Sequence, residues 1–526
     1  MSPKSARRFG LSLALFVGAS AVYSLTRAPG ITFAHRGADG GDFLAAAATW
    51  GVPHPPGYPT YTLVLRLFMA LPVGEPAAAG NLLSTVMGAV AVVGCGSIIW
   101  ELIHRQAHGR SRRRLPLIVS AGALTFGFFP LVWSQALVTE VYSFHLALVA
   151  VTLALLLRWR RTGKGLAWSA FLFGLGLTHH LTMAFVAPAA LAILVGGRHH
   201  LVDTVQSTSG KVHFRWHQTL SAVPAFLLGL APYAYAPLAA RRLPPINWEN
   251  PQTWRNFQRM VFAIRYRQNL LEPTPSEVLA RVGEWLHDFP PTYFLPFYLL
   301  VVVGLLWLLL RDPAGGVSTA LLAALVTGYA LGYGTSDYWV NLLPVMMMVA
   351  VWLACGFWLV AAWLGRQRWR TAAHLAVLIP YSVPLALLVT QWGALDVHQD
   401  RGAIEYVEGL RQSVEPDALV FARGDEGIFG AWYARYALPN DAEWVPILHT
   451  FLHSLWYRTS LEANHTGLDL RSDGLGEEAL ITMVQRHLGK RPILLTWEDE
   501  ELAQRYTLIQ SGPLWKVEPR SGGLQP

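Results

Sequence analysis

The sequence predicts an α-helical polytopic membrane protein with a small C-terminal α/β domain outside the membrane, and three observations support this fold class. Of the 526 residues, 53% are hydrophobic and only 14% are charged, whereas soluble domains carry about 25% charged residues. Long apolar stretches recur up to about residue 391, and their lengths suit membrane-spanning helices. Beyond residue 392 these stretches stop, and short alternating segments replace them.

About eleven stretches are apolar and long enough to cross a bilayer, which takes roughly 17–25 helical residues. They cover 9–26, 81–103, 115–133, 137–157, 165–179, 181–197, 217–239, 291–310, 316–333, 341–364 and 371–391. The apolar segment 58–72 is shorter and contains Arg66, so we expect a helix that lies at the membrane interface. The first stretch has a basic start and contains Ala19-Ser20-Ala21, which leaves a cleaved signal peptide as an alternative.

The distribution of basic residues predicts the orientation of these spans. Lys and Arg cluster in alternate loops, and the opposite short loops near 134–140, 179–180 and 334–339 contain none. Because basic loops stay in the cytoplasm, an odd number of spans places 27–80, 241–290 and the C-terminal region outside. We therefore divide the chain into a transmembrane domain, residues 1–391, and an extracytoplasmic α/β domain, residues 392–526.

The composition also bears on the classes of ligand. The net charge of +8 resides in clusters between apolar stretches, a pattern that membrane topology explains better than nucleic-acid binding does. Cys95 and Cys355 both lie inside apolar stretches, which argues against a disulfide framework or a cysteine zinc site. In the C-terminal region, 418–422, 444–448 and 492–497 are typical of strands, and 477–488 is typical of a helix.

An acidic pair follows the first apolar stretch. Asp39 and Asp42 are three residues apart, so both carboxylates would lie near the first turn of a helix that begins there. One interpretation is a capping box in which Asp39 caps the helix and Asp42 occupies the third position. The other is a general base that acts on an acceptor hydroxyl. The two interpretations are compatible for different members of the pair, and we expect Asp39 to be the cap and Asp42 the base.

Other polar residues lie at the outer ends of the spans. Glu140 opens the fourth span, where it either complements the helix dipole or projects into the same outer cavity as Asp42. His54 precedes the rigid segment Pro55-Pro56. His179 and His180 lie at an outer junction, where interfacial anchoring is the alternative to ligand binding.

Arg241 and Arg242 end the seventh span on the outer side, against the general trend of the basic residues. Guanidinium groups bind phosphate in a bidentate manner, so anion recognition is one interpretation of this pair. Attraction to lipid headgroups is the other.

At these residues the chain resembles the transmembrane protein 260 family. The resemblance rests on the acidic pair together with the following motifs: Gly51-Val52-Pro53-His54-Pro55-Pro56-Gly57-Tyr58-Pro59, Glu140-Val141-Tyr142, Gly176-Leu177-Thr178-His179-His180 and Pro245-Ile246-Asn247-Trp248-Glu249. It covers most of residues 9–270. The family often has Glu where this chain has Asp42, and the short C-terminal region differs from the eukaryotic relatives.

The resemblance implies a GT-C fold and an inverting glycosyltransferase in the inner membrane of a bacterial cell. The donor would be a polyprenyl-phosphate sugar, with mannose as the sugar, and the acceptor a protein or glycan hydroxyl. Asp39, Asp42 and Glu140 would be the catalytic candidates. The candidates for substrate binding would be His54, Tyr58, His179, His180, Arg241, Arg242, Asn247 and Trp248. No cofactor or metal site is expected, although dependence on a divalent cation stays open.

Two other classes of function remain compatible with the sequence. A transporter for lipid-linked glycans would carry ionisable residues deep in the middle of its spans, whereas the polar residues here cluster at the outer ends. A noncatalytic assembly protein would only anchor the C-terminal domain, and replacement of Asp42 would then leave its role intact.

Overall fold

A computed structural model describes residues 3–107, 112–200, 202–204, 212–214, 216–288, 295–366, 378–439, 442–468, 470 and 479–520. The first part of the chain is helical. Its helices are α1 (Pro3–Thr26), α2 (Gly40–Thr49), α3 (Pro59–Met69), α4 (Pro76–His104), α5 (Leu115–Phe128), α6 (Pro130–Gln135), α7 (Tyr142–Thr162), α8 (Leu166–Leu177) and α9 (Val186–Gly196). A short antiparallel pair, β1 (Val202–Thr204) and β2 (Val212–Phe214), follows.

The helical part continues to residue 395. It contains α10 (Trp216–Gly229), α11 (Tyr235–Ala240), α12 (Trp254–Val261), α13 (Pro275–Asp288), α14 (Leu295–Arg311), α15 (Pro313–Leu331), α16 (Leu343–Arg366) and α17 (Ser382–Leu395). Within the described ranges, six helical segments are apolar and at least 18 residues long, and five more apolar helices are shorter. Each of these eleven overlaps one of the apolar stretches found in the sequence. The protein is therefore an integral membrane protein with a predominantly helical fold.

Two of the helix boundaries that differ from the sequence prediction bear on the site. The stretch expected to span 115–133 breaks at Phe129, and the short helix α6 begins at Pro130. Proline lacks a backbone N–H and disfavours helix in the preceding residue, which explains the break. The next helix begins at Tyr142 rather than at residue 137. The nonhelical residues 137–141 carry Glu140 between the two helices.

Helix α4 runs from one end of the helical bundle to the other. It has 29 residues and is therefore about 43 Å long at 1.5 Å per residue. It packs along α7, α5 and α1. At its C-terminal end, Glu101 forms ion pairs with Arg8 and Arg161. At its N-terminal end, Thr139 donates a hydrogen bond to Asn81. The basic clusters therefore gather at one end of α4, and the loop with Glu140 lies at the other end.

Residues 402–518 form an α/β unit. Its helices are α18 (Gly402–Ser413), α19 (Gly424–Trp432), α20 (Leu455–Asn464), α21 (Ala479–His487) and α22 (Glu500–Arg505). Its strands are β3 (Leu419–Ala422), β4 (Val445–Leu448), β5 (Ile493–Leu495), β6 (Thr507–Ser511) and β7 (Leu514–Glu518). The sheet order is β4-β3-β5-β7-β6, in which β3 is parallel to β4 and β5, and β7 is antiparallel to β5 and β6.

The α/β unit packs through α19 directly on α2, the helix that contains Asp42. Gly41 lies so close to Phe429 that a Cβ atom at position 41 would be 2.3 Å from the carbonyl oxygen of Phe429. Such a distance is below any tolerable contact, so glycine is required for this approach. The contact brings Asp425 and Phe429 of α19 next to the acidic pair.

Candidate functional site

A cavity of about 320 Å³ lies between the helical bundle and α19. Segments that are distant in sequence line it. They are Asp39, Phe43, 54–56, Tyr58, 140–142, 180–182, Trp248, Ala263, Tyr266, Asn269, Tyr329, Tyr333, Thr335, Asp337, Asn341, Asp425 and Phe429. Four carboxyl groups and two imidazoles therefore line one cavity, together with several aromatic rings.

Asp42 does not face this cavity. Its side chain is fully buried, and its two oxygens accept three hydrogen bonds. Oδ2 accepts from the backbone N–H of His54 at 2.9 Å and from Nδ1 of the same residue at 2.7 Å. Oδ1 accepts from Nε1 of Trp248 at 3.2 Å. Asp42 therefore holds the His54 ring in place, and its expected role as the base stays a prediction for a side chain that does not line the cavity.

Asp39 is the member of the pair that reaches the cavity. It occupies the position before α2, but its side chain makes no capping hydrogen bond. Instead its carboxylate faces the cavity with 36% of the side chain exposed, and Oδ2 lies 3.7 Å from Nε2 of His54. The predicted capping box is therefore absent, because both carboxylates turn toward His54. Asp39, which was expected to be the cap, is the member of the pair that lines the cavity.

The enclosure of Asp39 changes its acidity. Loss of solvation raises the pKa of Asp39 to about 6, against the opposing effect of His54 and with a further contribution from Asp425. The pKa of His54 is also raised, because Asp39 and Asp42 together outweigh the effect of burial. Burial, and then the charge of Asp39, raise the pKa of Glu140 well above its ordinary value. A carboxylate with a raised pKa is a stronger base for a hydroxyl proton near neutral pH.

The structure brings some of the other predicted residues to the cavity and leaves some away from it. Glu140, His54, Tyr58, His180 and Trp248 line it. His179 does not, because it is 1% exposed and its Nε2 bonds to the carbonyl of Val141.

Asn247, Arg241 and Arg242 also lie away from the cavity. Asn247 is buried, and its amide donates to the hydroxyl of Ser460 at 3.1 Å. Arg241 and Arg242 are exposed at the end of α11. Neither arginine lines the cavity, and their assignment as the phosphate site stays a prediction.

Sequence reasoning missed three lining groups that come from distant segments. Asp337 lies in the outer loop 334–339, which the sequence marked only by its lack of Lys and Arg. Asp425 and Phe429 belong to α19, and the ring of Phe429 stacks on His54 with centroids 6.4 Å apart. In the sequence, Asp425 is marked only by its place after a predicted strand, in Arg423-Gly424-Asp425. This pattern does not predict a contact with the segment that carries Asp39 and Asp42.

Cationic and metal-binding groups are sparse at this site. Among the lining residues that the structure describes, none is Lys or Arg, so His54 is the cation closest to Asp39. Across the described ranges, no three or more His, Cys, Asp or Glu side chains are grouped as a metal ion would require.

Two solved structures of one membrane protein share this fold. The fold matches the crystal structure of ArnT from Cupriavidus metallidurans bound to undecaprenyl phosphate, with a TM-score of 0.59, 12% identity and coverage of 98% of both chains. The apo structure of the same protein matches with a TM-score of 0.58. The chain thus has the fold of a polytopic membrane protein similar to ArnT, with an acidic cavity at one end of its helical bundle.

Sequence similarity to known proteins is confined to about half of the chain or less. Residues 39–202 match the Protein O-mannosyl-transferase TMEM260 N-terminal domain. The Protein O-mannosyl-transferase TMEM260 of Mus musculus is 30% identical over 263 residues, which are 48% of this chain and 34% of that protein. The Dictyostelium discoideum protein of the same name is 26% identical over 268 residues, or 46% of this chain and 29% of that protein. The N-terminal part of the chain is thus similar to TMEM260 proteins, and the matched part spans about a third of the length of these curated relatives.

Proposed function

We propose that this protein is an inverting membrane glycosyltransferase that moves a sugar, namely mannose, from a polyprenyl-phosphate donor to a hydroxyl acceptor on a protein or glycan. The observation that carries the proposal is the enclosed carboxylate of Asp39 beside His54. The names of the relatives support mannose as the sugar. The fold shared with a protein crystallised with undecaprenyl phosphate is consistent with a lipid-linked donor.

The proposed reaction is a single displacement. Asp39 accepts the proton of the acceptor hydroxyl while the acceptor oxygen bonds to the anomeric carbon of the sugar. The bond from that carbon to the phosphate oxygen breaks, and polyprenyl phosphate leaves with the electron pair. His54 would offset the charge of the leaving phosphate, and Asp42 and Trp248 orient His54. Displacement from the face opposite the phosphate inverts the anomeric centre. The proposed steps use no cofactor, and whether a divalent cation assists is a question for the assay.

The ion pairs in the helical bundle favour this enzyme over a transporter. Glu101 is paired with Arg8 and Arg161, and Arg160 is paired with Asp312. These charges are matched to each other and lie toward the basic end of the bundle rather than along a path through its middle. Asp39, Glu140, Asp337 and Asp425 gather instead in the cavity, away from these ion pairs.

The proposal is tested by incubating purified protein with labelled polyprenyl-phosphate mannose and cell-envelope fractions. Transfer of label to protein or glycan, with release of polyprenyl phosphate, is the expected result. Transport of the labelled lipid between the leaflets of vesicles, without transfer, would support a transporter instead. Neither transfer nor transport would favour a noncatalytic assembly protein.

We also propose that the cavity and the C-terminal unit face outward from the inner membrane of a bacterial cell. The basic clusters at the far end of α4 would then face the cytoplasm. Single cysteines at positions 426 and 113 test this orientation, because both native side chains are exposed and the two native cysteines are buried. Glu426→Cys should react with a membrane-impermeant thiol reagent in spheroplasts, and Arg113→Cys should react only after lysis. The reverse pattern would contradict the orientation.

The pH dependence of transfer follows from the cavity charges. Asp39 must be deprotonated to act as a base, and its pKa is raised to about 6. The rate should therefore fall as the pH drops through about 6. It should also fall on the alkaline side, above the ordinary pKa of histidine, as His54 loses its proton. A rate that stays constant down to pH 4 would show that a carboxylate with an ordinary pKa, or none, acts as the base.

A further inference from the structure

Glu140 is a buried group whose hydrogen bonding is incomplete. It lines the cavity, it is 2% exposed, and its Oε1 has no hydrogen-bond partner. An unpartnered buried polar atom destabilises the fold, so such groups usually serve a ligand or a specific chemical role. The two oxygens of Asp42, by contrast, are fully used.

The backbone around Glu140 is fixed, so the direction of its side chain is not accidental. The hydroxyl of Ser84 donates to the carbonyl of Glu140 at 3.3 Å. On one side, Thr139 donates to Asn81 at 2.7 Å. On the other side, Nε2 of His179 bonds to the carbonyl of Val141 at 3.0 Å. This segment holds the carboxyl group at the wall of the cavity.

The protonation of Glu140 suits an uncharged partner. Burial and the neighbouring carboxylate of Asp39 favour the protonated form of Glu140. A protonated carboxyl group both donates and accepts hydrogen bonds, as a sugar hydroxyl does. No described Lys or Arg lines the cavity, and His54 already pairs with Asp39 and Asp42, so a carboxylate on the sugar would find no free cation among the described lining residues.

His180 supplies a second hydrogen-bonding group to the same cavity. The backbone N–H of Thr182 donates to Nδ1 of His180 at 3.3 Å, so Nδ1 is an acceptor and the proton of the neutral ring resides on Nε2. Burial lowers the pKa of His180 to about 4, which keeps the ring neutral. The rings of Tyr58 and Tyr142 flank His180, with centroids 5.9 Å and 6.0 Å from it. Aromatic rings and uncharged hydrogen-bonding groups together form a surface that complements a pyranose.

We infer that Glu140 and His180 form the subsite for the hydroxyl groups of the transferred sugar, and that this sugar is a neutral hexose rather than a hexuronic acid. The inference rests on the proposed function, because it assumes that the donor sugar occupies the cavity. It assigns Glu140 to substrate binding rather than to proton transfer.

Binding measurements with three synthetic short-chain lipids test the subsite. The lipids are polyprenyl phosphate, its mannosyl ester and its glucuronosyl ester. Wild-type protein should bind the mannosyl ester about tenfold more tightly than the glucuronosyl ester, since a charge without a partner is disfavoured. Glu140→Gln keeps both a donor and an acceptor and should bind the mannosyl ester within about threefold of wild type.

The apolar variants provide the contrast. Glu140→Leu and His180→Phe should bind the mannosyl ester about tenfold more weakly, the effect of one lost hydrogen bond. Both should bind polyprenyl phosphate as wild type does, which also shows that they are folded.

Equal losses for Glu140→Gln and Glu140→Leu would overturn the inference, as would tight binding of the glucuronosyl ester. If the expected pattern appears but wild-type protein transfers no sugar, the proposed function fails and the subsite stands. If transfer occurs and Glu140→Leu binds normally, the subsite alone fails.

Discussion

Asp39→Asn is expected to lower the rate of sugar transfer by about 10²-fold or more, the usual contribution of a positioned general base. The amide preserves the size of the side chain but cannot accept a proton. Because Asp39 makes no capping hydrogen bond, the substitution should leave the thermal stability of the protein nearly unchanged. Transfer rate and melting temperature measured on the same preparation check both halves of this expectation.

Asp499→Asn is the matched control for this substitution. Asp499 accepts a hydrogen bond from the backbone of Leu502 at the start of α22, and asparagine caps helices as well as aspartate does. The control should keep full activity, and any loss of stability should come from the indole of Trp497, which donates to the second oxygen of Asp499. A transfer rate near wild type in Asp39→Asn would remove Asp39 from catalysis and direct attention to Asp425 or Asp337.

Asp42→Asn is expected to destabilise the fold by about 1–3 kcal/mol, the cost of one buried donor left unsatisfied. Both oxygens of Asp42 are acceptors, for His54 on one side and for Trp248 on the other. The amide has only one oxygen, so its NH2 group would face an N–H donor. Transfer should fall as well, because His54 is no longer held against the cavity.

A double-mutant cycle with Trp248→Phe separates this cause from a general effect of mutation. Phenylalanine removes the indole N–H, so Asp42→Asn should cost less stability in the Trp248→Phe background than in wild type. Denaturation gives the free energy of unfolding for wild type, for each single variant and for the double variant. The cost of Asp42→Asn in the two backgrounds then gives the coupling free energy. An equal cost in the two backgrounds would contradict the hydrogen-bonding role assigned to Asp42.

The part of the site that depends on local sequence could be predicted. The motif from Asp39 to Pro59 contains the acidic pair and His54, and these residues lie together in the structure. The assignment of roles within the pair could not be predicted. It depends on the 3-10 turn before α2, where His35 and Arg36 adopt positive φ angles, and this turn leaves the Asp39 side chain outside the helix that buries Asp42.

The distant half of the site was not accessible from sequence for a different reason. Trp248 reaches Asp42 across 206 residues of chain, and Asp425 reaches the cavity only because α19 packs on Gly41. Apolar periodicity located most of the membrane helices and the strands β3, β4 and β5, since burial alone determines those patterns. It missed β6, whose residues are largely exposed or half-buried.

The central claim is that the cavity holds the sugar of a lipid-linked donor and that Asp39 acts in the chemical step rather than in binding. A single-turnover experiment with protein in excess over labelled polyprenyl-phosphate mannose, in the presence of acceptor, tests it most directly. Wild-type protein and Asp39→Asn should bind the donor equally. Wild-type protein should release polyprenyl phosphate as label appears on the acceptor. The Asp39→Asn variant should release it more slowly by a factor of about 10² or more. Equal single-turnover rates for the two proteins, or weaker donor binding as the only defect of the variant, would contradict the account.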